Sequence, residues 1–256
     1  MLTNRPAFPR RCFLAASGAA LAAPLLTPDP AAATSADAGE RRPLGPDHQV
    51  AAGPRAIALT FDDGPNPLYT PGVLDVLARY RVRATFFMLG ANVAKYPELA
   101  RQIADEGHAL GNHTWTHTNL DHLPAARIRD EIRRTQDVIA ETTGRTPLLF
   151  RAPGGHFAPA ALTICAELGL RPIAWSIDTV DWSRPGIDRI VRTVLDEVRT
   201  GSIVLHHDGS LSEHPYPEFE GDNDRSQTVA ALAVYLPQLL CSGYRFTTVT
   251  PRCSFG

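Results

Sequence analysis

The stretch Ile57-Ala58-Leu59-Thr60-Phe61-Asp62-Asp63-Gly64-Pro65 joins an apolar run to two adjacent carboxylates and then to a turn. Residues 57–62 read as a short buried strand ended by Gly64-Pro65, so the carboxylates sit at the strand's carboxyl end. Successive strand residues face opposite ways, which gives Asp62 and Asp63 different surroundings. Such a pair suits an enzyme in which one carboxylate holds a metal ion and the other moves a proton. A pair of acids that only caps a turn has the same local sequence.

Outward from this stretch the same pattern repeats. Strand-like runs occupy 83–89, 108–112, 148–151, 172–177, 202–207 and 244–249, and helical periodicity falls over 71–80, 92–106, 124–142, 157–169, 186–199 and 226–241. Alternating strand and helix predicts parallel strands wrapped by helices, either as a closed barrel or as an open doubly wound sheet, and the length from Ala56 onward fits one domain. Both architectures place active sites at the carboxyl ends of strands. With 44% hydrophobic and 20% charged residues among 256, the chain has an ordinary globular composition. Dinucleotide-binding, phosphate-loop and serine-hydrolase motifs do not occur in it, which argues against those chemistries.

Polar clusters recur where the strands stop. After 108–112 comes Asn112-His113-Thr114-Trp115-Thr116-His117; imidazoles four apart converge on one ion if the loop makes a helical turn. With Asp63 they form a two-nitrogen, one-oxygen set suited to zinc, although cobalt, nickel, iron or manganese accept the same donors. Arg151 follows the fourth strand, at Phe150-Arg151-Ala152-Pro153-Gly154-Gly155. Asp178 and Asp181-Trp182 follow the fifth. The sixth is Ile203-Val204-Leu205-His206-His207-Asp208, where alternation sets Leu205 and His207 on one face and turns His206 away.

In this order, Thr60-Phe61-Asp62-Asp63-Gly64-Pro65, His113-Thr114-x-x-His117, Arg151-x-Pro153, Asp178-x-x-Asp181-Trp182 and Leu205-x-His207-Asp208 resemble the five motifs of the polysaccharide deacetylases, the NodB-like family four of carbohydrate esterases. The resemblance spans about residues 56 to 250. It implies a distorted, partly open (β/α)7 barrel. It also implies that Asp63, His113 and His117 hold one divalent metal, that Asp62 is the general base, and that His207 is the general acid. Arg151 would hold Asp62, Asp181 would orient His207, and Trp182 and Leu205 would line the pocket for the acetyl methyl group. The backbone N–H of Gly154 would stabilise the oxyanion. Gly154 departs from the pattern, because many relatives carry an aromatic residue there.

The implied reaction is removal of N-acetyl groups from amino-sugar polymers or oligomers of chitin-oligosaccharide or peptidoglycan type. O-acetyl ester cleavage on xylan, or carbohydrate binding by a dead site, are the alternatives. The expected partner is the acetylated carbohydrate, with no nucleic acid, no stable membrane span after maturation, and a monomeric state by default.

The first 38 residues differ from the rest. Arg10-Arg11, an apolar stretch over Phe13 to Leu26 and the small-residue sites Ala31-Ala32-Ala33 and Ala36-Asp37-Ala38 have the layout of an export signal, twin-arginine-like. This predicts a secreted or cell-envelope protein. Loss of residues 1–38 removes three arginines and two aspartates and leaves 22 basic and 25 acidic residues. Residues 39–55 read as a linker and 56–256 as the catalytic domain. Cys241 and Cys253 form a candidate disulfide, and Cys165 reads as buried packing. Ser210 to Asp224 is an extended segment, either a substrate-contacting rim or a plain surface loop. His108, His122 and His156 read as surface or packing histidines.

Overall fold

A computed structural model describes residues 45–210 and 224–250. Residues 1–38, expected to be an export signal, Cys253 and nearly all of the 210–224 segment lie outside the described residues. The described part belongs to one compact unit, residues 41–256.

The elements in chain order are β1 (Ala56–Asp62), α1 (Thr70–Tyr80), β2 (Thr85–Met88), α2 (Gly90–Lys95), α3 (Pro97–Asp105), β3 (Ala109–Asn112), α4 (Ala125–Thr143), β4 (Leu149–Phe150), α5 (Pro159–Leu168), β5 (Arg171–Pro172), β6 (Ile177–Asp178), α6 (Ile187–Glu197), β7 (Ile203–His207), α7 (Ser226–Cys241) and β8 (Arg245–Phe246). All strand pairs are parallel, in the order β5-β4-β3-β2-β1-β7-β6, with β8 added to the start of β1. β1 is central and buried along its whole length.

Alternation along the strands separates two cores. Ile57, Leu59, Phe61, Phe86, Met88 and Val204 pack outward under the helices, against Leu74 and Leu77 of α1, Ile190 and Val194 of α6 and Leu232 and Leu236 of α7. Ala58, Phe87, Leu149, Ile173 and Ile203 form a smaller inner cluster, with Val50 and Trp175 against it. The inward face of β1 therefore runs Ala58, Thr60, Asp62 and delivers the last of these to the mouth of the barrel.

The sheet curls but does not close. β5 and β6 are consecutive in the chain, yet each pairs only on its far side, β5 with β4 and β6 with β7. The single strand expected over 172–177 is thus two short ones, because its halves serve opposite edges of the opening and Pro172 has no N–H to continue a ladder. The helix expected over 92–106 is also divided, at Tyr96, where Pro97 takes the first position of α3.

At its described end, the segment expected to be a linker is part of the domain. Asp47 N donates to Pro172 O at 3.0 Å and Ala174 N to Asp47 O at 2.8 Å, and Val50 N donates to Gly201 O at 2.8 Å. Arg171 grips the Asp47 carboxylate through two bonds of 2.6 Å. These contacts span the open side of the barrel, which supplies unpaired edge groups that a linker sequence can satisfy.

Candidate active site

The carboxyl ends of β1, β3 and β7, with the turns after β4 and β6, meet at one mouth. Asp62 lies in direct register with His207 on the neighbouring strand. Sequence alternation alone would turn Asp63 to the outer face. Instead Asp63 adopts a left-handed backbone, φ 73°, which swings its carboxylate back beside that of Asp62. Asp63 O, bonded by Asn92 Nδ2 at 2.8 Å, helps hold that conformation. Gly64 follows because no side chain fits: a Cβ there would lie 2.3 Å from Asp208 Oδ2.

The two aspartates have different partners. Asp62 Oδ1 accepts from Arg151 Nη1 at 2.7 Å, which leaves Oδ2, 3.6 Å from His113 Nε2, facing the mouth. Asp63 Oδ1 lies 3.3 Å from Nε2 of both His113 and His117. It is also buried without a hydrogen-bond partner. His113 Nδ1 is bonded to Arg151 O at 2.8 Å; since a carbonyl only accepts, Nδ1 carries the proton and Nε2 presents its lone pair to Asp63. A fixed imidazole lone pair, a second imidazole nitrogen and an orphaned carboxylate oxygen converging on one point form a donor set suited to a cation. Donors bound about 2.0–2.1 Å from a tetrahedral zinc stand about 3.3–3.4 Å apart. Two edges of the triad match that spacing, and all three ligand atoms lie within 4.8 Å of one another.

Electrostatics point the same way. Burial alone would raise the Asp63 carboxyl, but the imidazoles of His117, His113 and His207 hold it well below the usual carboxylate range. Burial, aided by His113 and His207, holds His117 below its ordinary value despite the opposing pull of Asp63. Burial also works against charge on His113, yet the Asp62 and Asp63 carboxylates raise it, because their field favours positive charge there. A divalent ion answers the same field.

The loop that carries the histidines is not the expected helical turn. Thr114 and His117 both take positive φ, 71° and 58°, and these two left-handed residues bend the loop so that His117 faces back towards His113. The ring centroids of the two histidines are 5.2 Å apart.

Arg151 is fully buried at the mouth of the open side. Its guanidinium donates to Ile173 O at 3.2 Å, Ala174 O at 2.9 Å, Thr60 Oγ1 at 2.9 Å and Asp62 Oδ1 at 2.7 Å, and it lies 4.1 Å over the Phe87 ring. The same residue thus binds the candidate base through its side chain and a candidate ligand through its carbonyl. In the turn that follows, Gly155 N bonds Ala152 O and His156 N bonds Pro153 O. Gly154 is exposed between them at φ 60°, and a Cβ there would lie 2.9 Å from His156 Cδ2. An aromatic residue at 154 would therefore need the His156 ring to move. His156 has a partner the sequence did not reveal, Asp121 Oδ2 at 3.0 Å.

His207 Nδ1 bonds Asp181 Oδ1 at 2.7 Å, and His207 N donates to Asp181 Oδ2 at 2.9 Å. Burial would lower the imidazole, but Asp181, with Asp63 and Asp62 beyond it, more than reverses this and raises it to about 9. Asp178 does not reach Asp181; its Oδ1 caps the backbone of Val180 at 2.8 Å. Leu205 is buried two residues before His207 on the same face, while Trp182 is 49% exposed on the turn after Asp181. His206 turns into the outer core as alternation requires, stacked on Phe61 and bonded to Tyr235 OH at 2.8 Å. His108 is buried at the opposite end, accepting from Ala84 N at 3.1 Å. Cys165 is buried and Cys241 exposed, and among the described residues neither is in a disulfide; the pairing of Cys241 with Cys253 lies outside them.

Residues outside the sequence motifs also serve the site. Thr228 of α7 donates to Asp181 Oδ2 at 2.7 Å. Glu131 of α4, 4% exposed, receives the loop between the two histidines. A glutamate on the inward side of a helix otherwise marked by Ile128, Ile132 and Ile139 is a signal the sequence carried.

A family model described as polysaccharide deacetylase matches residues 49–173. The chain is 43% identical over 198 residues to a peptidoglycan-N-acetylglucosamine deacetylase of Bacillus cereus, covering 77% of this chain and 87% of that one. It is 44% identical over 197 residues to a chitooligosaccharide deacetylase of a Bradyrhizobium species, covering 75% and 88%. Among solved structures, the Bc1960 peptidoglycan N-acetylglucosamine deacetylase superposes with a TM-score of 0.72 at 34% identity, over 79% of this chain and 89% of that one.

Proposed function

The chain belongs to the polysaccharide deacetylase family, and from this premise we propose that it is a metal-dependent hydrolase that removes N-acetyl groups from amino-sugar polymers or oligomers. The observation that carries the reading is the orphaned Asp63 Oδ1 between two imidazoles, beside a base and an acid in register on adjacent strands. A divalent ion held by Asp63, His113 and His117, when bound, polarises the acetyl carbonyl and lowers the pKa of water.

The chain's own residues do the proton transfers. Asp62, with Oδ1 fixed by Arg151, takes a proton from the attacking water at Oδ2. As the water oxygen bonds to the acetyl carbon, the Gly154 N–H donates to the oxyanion. His207 carries a proton on Nε2, kept there by Asp181, and gives it to the amide nitrogen as the carbon–nitrogen bond breaks. The products are acetate and the free amine. Leu205 and Trp182 bound the space for the methyl group. Export by residues 1–38 would put the enzyme on polymers outside the cytoplasm; fractionation of cells expressing the chain with and without that segment tests this.

The direct test is acetate release from N-acetylglucosamine oligomers, with acetylated xylan in parallel. Release from the amino sugar should stop with chelator and return with zinc or cobalt. His113→Ala should lose bound metal and activity together; full metal occupancy in that variant would refute the ligand assignment. Release from xylan alone would make the enzyme an O-acetyl esterase.

The acid role predicts a pH signature. Activity should fall as pH rises through the value of His207, at or below about 9, since a bound cation opposes the imidazolium. Asp181→Asn removes the charge that raises it, so the alkaline limb should move to lower pH and turnover should drop. An unmoved limb would mean that another group is titrating.

A further inference from the structure

His113 and His117 are placed by different means. His113 stands directly after β3, is 1% exposed, and has its ring fixed by Arg151 O. His117 lies four residues along the loop, its side chain is 40% exposed, and among the described residues its Nδ1 has no hydrogen-bond partner. Its position is therefore set by the backbone of residues 114–116, and the question becomes what holds that backbone.

Three groups do. Gly90 N and Ala91 N, at the start of α2, donate to Thr114 O and Trp115 O at 3.0 and 3.3 Å. Asn112 Oδ1 accepts from Thr114 N at 3.0 Å. The remaining donors converge on one carboxylate: Glu131 Oε2 accepts from Trp115 N at 2.9 Å and Thr116 N at 2.8 Å, and Oε1 accepts from Thr116 Oγ1 at 3.0 Å. Among the described residues no Lys, Arg or His lies within ion-pair distance of Glu131. A buried carboxylate without a counter-ion is costly unless its oxygens are hydrogen-bonded, and here the loop supplies the bonds. One turn further along α4, the Arg134 guanidinium lies 3.6 Å over the Trp115 ring and clamps the same loop from outside.

We propose that Glu131 is a positioning residue of the metal centre, which sets His117 against Asp63 by capping the backbone between the two histidines. The proposal rests on the metal-site reading above. It differs from a general packing role in one respect: the effect of Glu131 must pass through His117. Partners that orient ligands without touching the ion typically change metal affinity by about 10–100-fold when lost.

The test is zinc affinity, measured by competition with a chromophoric chelator, for wild type, Glu131→Ala, His117→Ala and the double variant. Glu131→Ala should weaken zinc binding by about 10–100-fold. The same substitution made in His117→Ala should cost little more, because the ligand it positions is already gone. Glu131→Gln should fall between wild type and Glu131→Ala, since its amide oxygen can accept both N–H groups while its NH2 faces Thr116 Oγ1. Should Glu131→Ala not fold, Glu131→Gln in the two backgrounds carries the same cycle. Wild-type affinity in Glu131→Ala, or equal losses with and without His117, would overturn the proposal and leave the metal site standing. Failure of the wild-type protein to bind zinc, cobalt, nickel or manganese would overturn the metal reading itself.

Discussion

Asp62→Asn should retain its full complement of metal and lose acetate release by about 10²–10⁴-fold, the usual contribution of a positioned base. The variant keeps an oxygen that can accept from Arg151 Nη1, so the geometry around the mouth should persist. What it lacks is the second carboxylate oxygen, the one left facing His113 Nε2 at 3.6 Å. Metal should stay because the orphaned oxygen between the two imidazoles belongs to Asp63. Metal content by atomic absorption and initial rates on an N-acetylglucosamine oligomer decide the matter together. Turnover within tenfold of wild type would place the base elsewhere, and loss of metal would make Asp62 a ligand.

Arg151→Ala should be the most damaging single change to stability among the site residues. The guanidinium satisfies two backbone carbonyls at the opening between β5 and β6, one hydroxyl and one buried carboxylate. Its removal leaves Asp62, 3% exposed, without the cation that compensates it. Breaking a buried ion pair from one side costs about 3–5 kcal/mol, which corresponds to a fall of about 10 °C in Tm for a domain of this size. Activity should fall with it, since Asp62 is no longer held. Arg151→Lys should recover only part of the loss, because an ammonium cannot direct donors to four acceptors spread around a planar fork. Thermal melts and urea midpoints measure the effect; a loss below about 1 kcal/mol would mean that the guanidinium is not what holds the rim of the opening together.

A feature of this chain is legible in its sequence when the residues that set it are close neighbours, and hidden when they are distant. The alternation in Ile203 to His207 was enough to send Leu205 and His207 inward and His206 outward, because strand direction depends only on the neighbouring residue. The same rule failed at Asp63, where a bond from Asn92, twenty-nine residues away, helps hold a left-handed backbone that reverses the side chain. It failed again at 172–177, where one apolar run serves two edges of an unclosed sheet. The helical turn expected between His113 and His117 is replaced by two positive φ values in a loop capped from α4.

By itself the sequence determined the order of strands and helices, the strand ends that carry polar groups, and the residue types available there for metal and proton. Those features are written in periods of two and 3.6 residues and in short motifs, so a local window contains them. Only the tertiary structure decided that the barrel stays open between β5 and β6, that residues 47–50 strap that opening, and that Arg151 seals it while gripping Asp62. It alone also brought Glu131 beneath the histidine loop and Thr228 against Asp181. These are contacts between groups from 15 to 151 residues apart, the longest being Val50 with Gly201, and what selects them is the need of buried polar atoms for partners, a condition that exists only once the chain has folded around them.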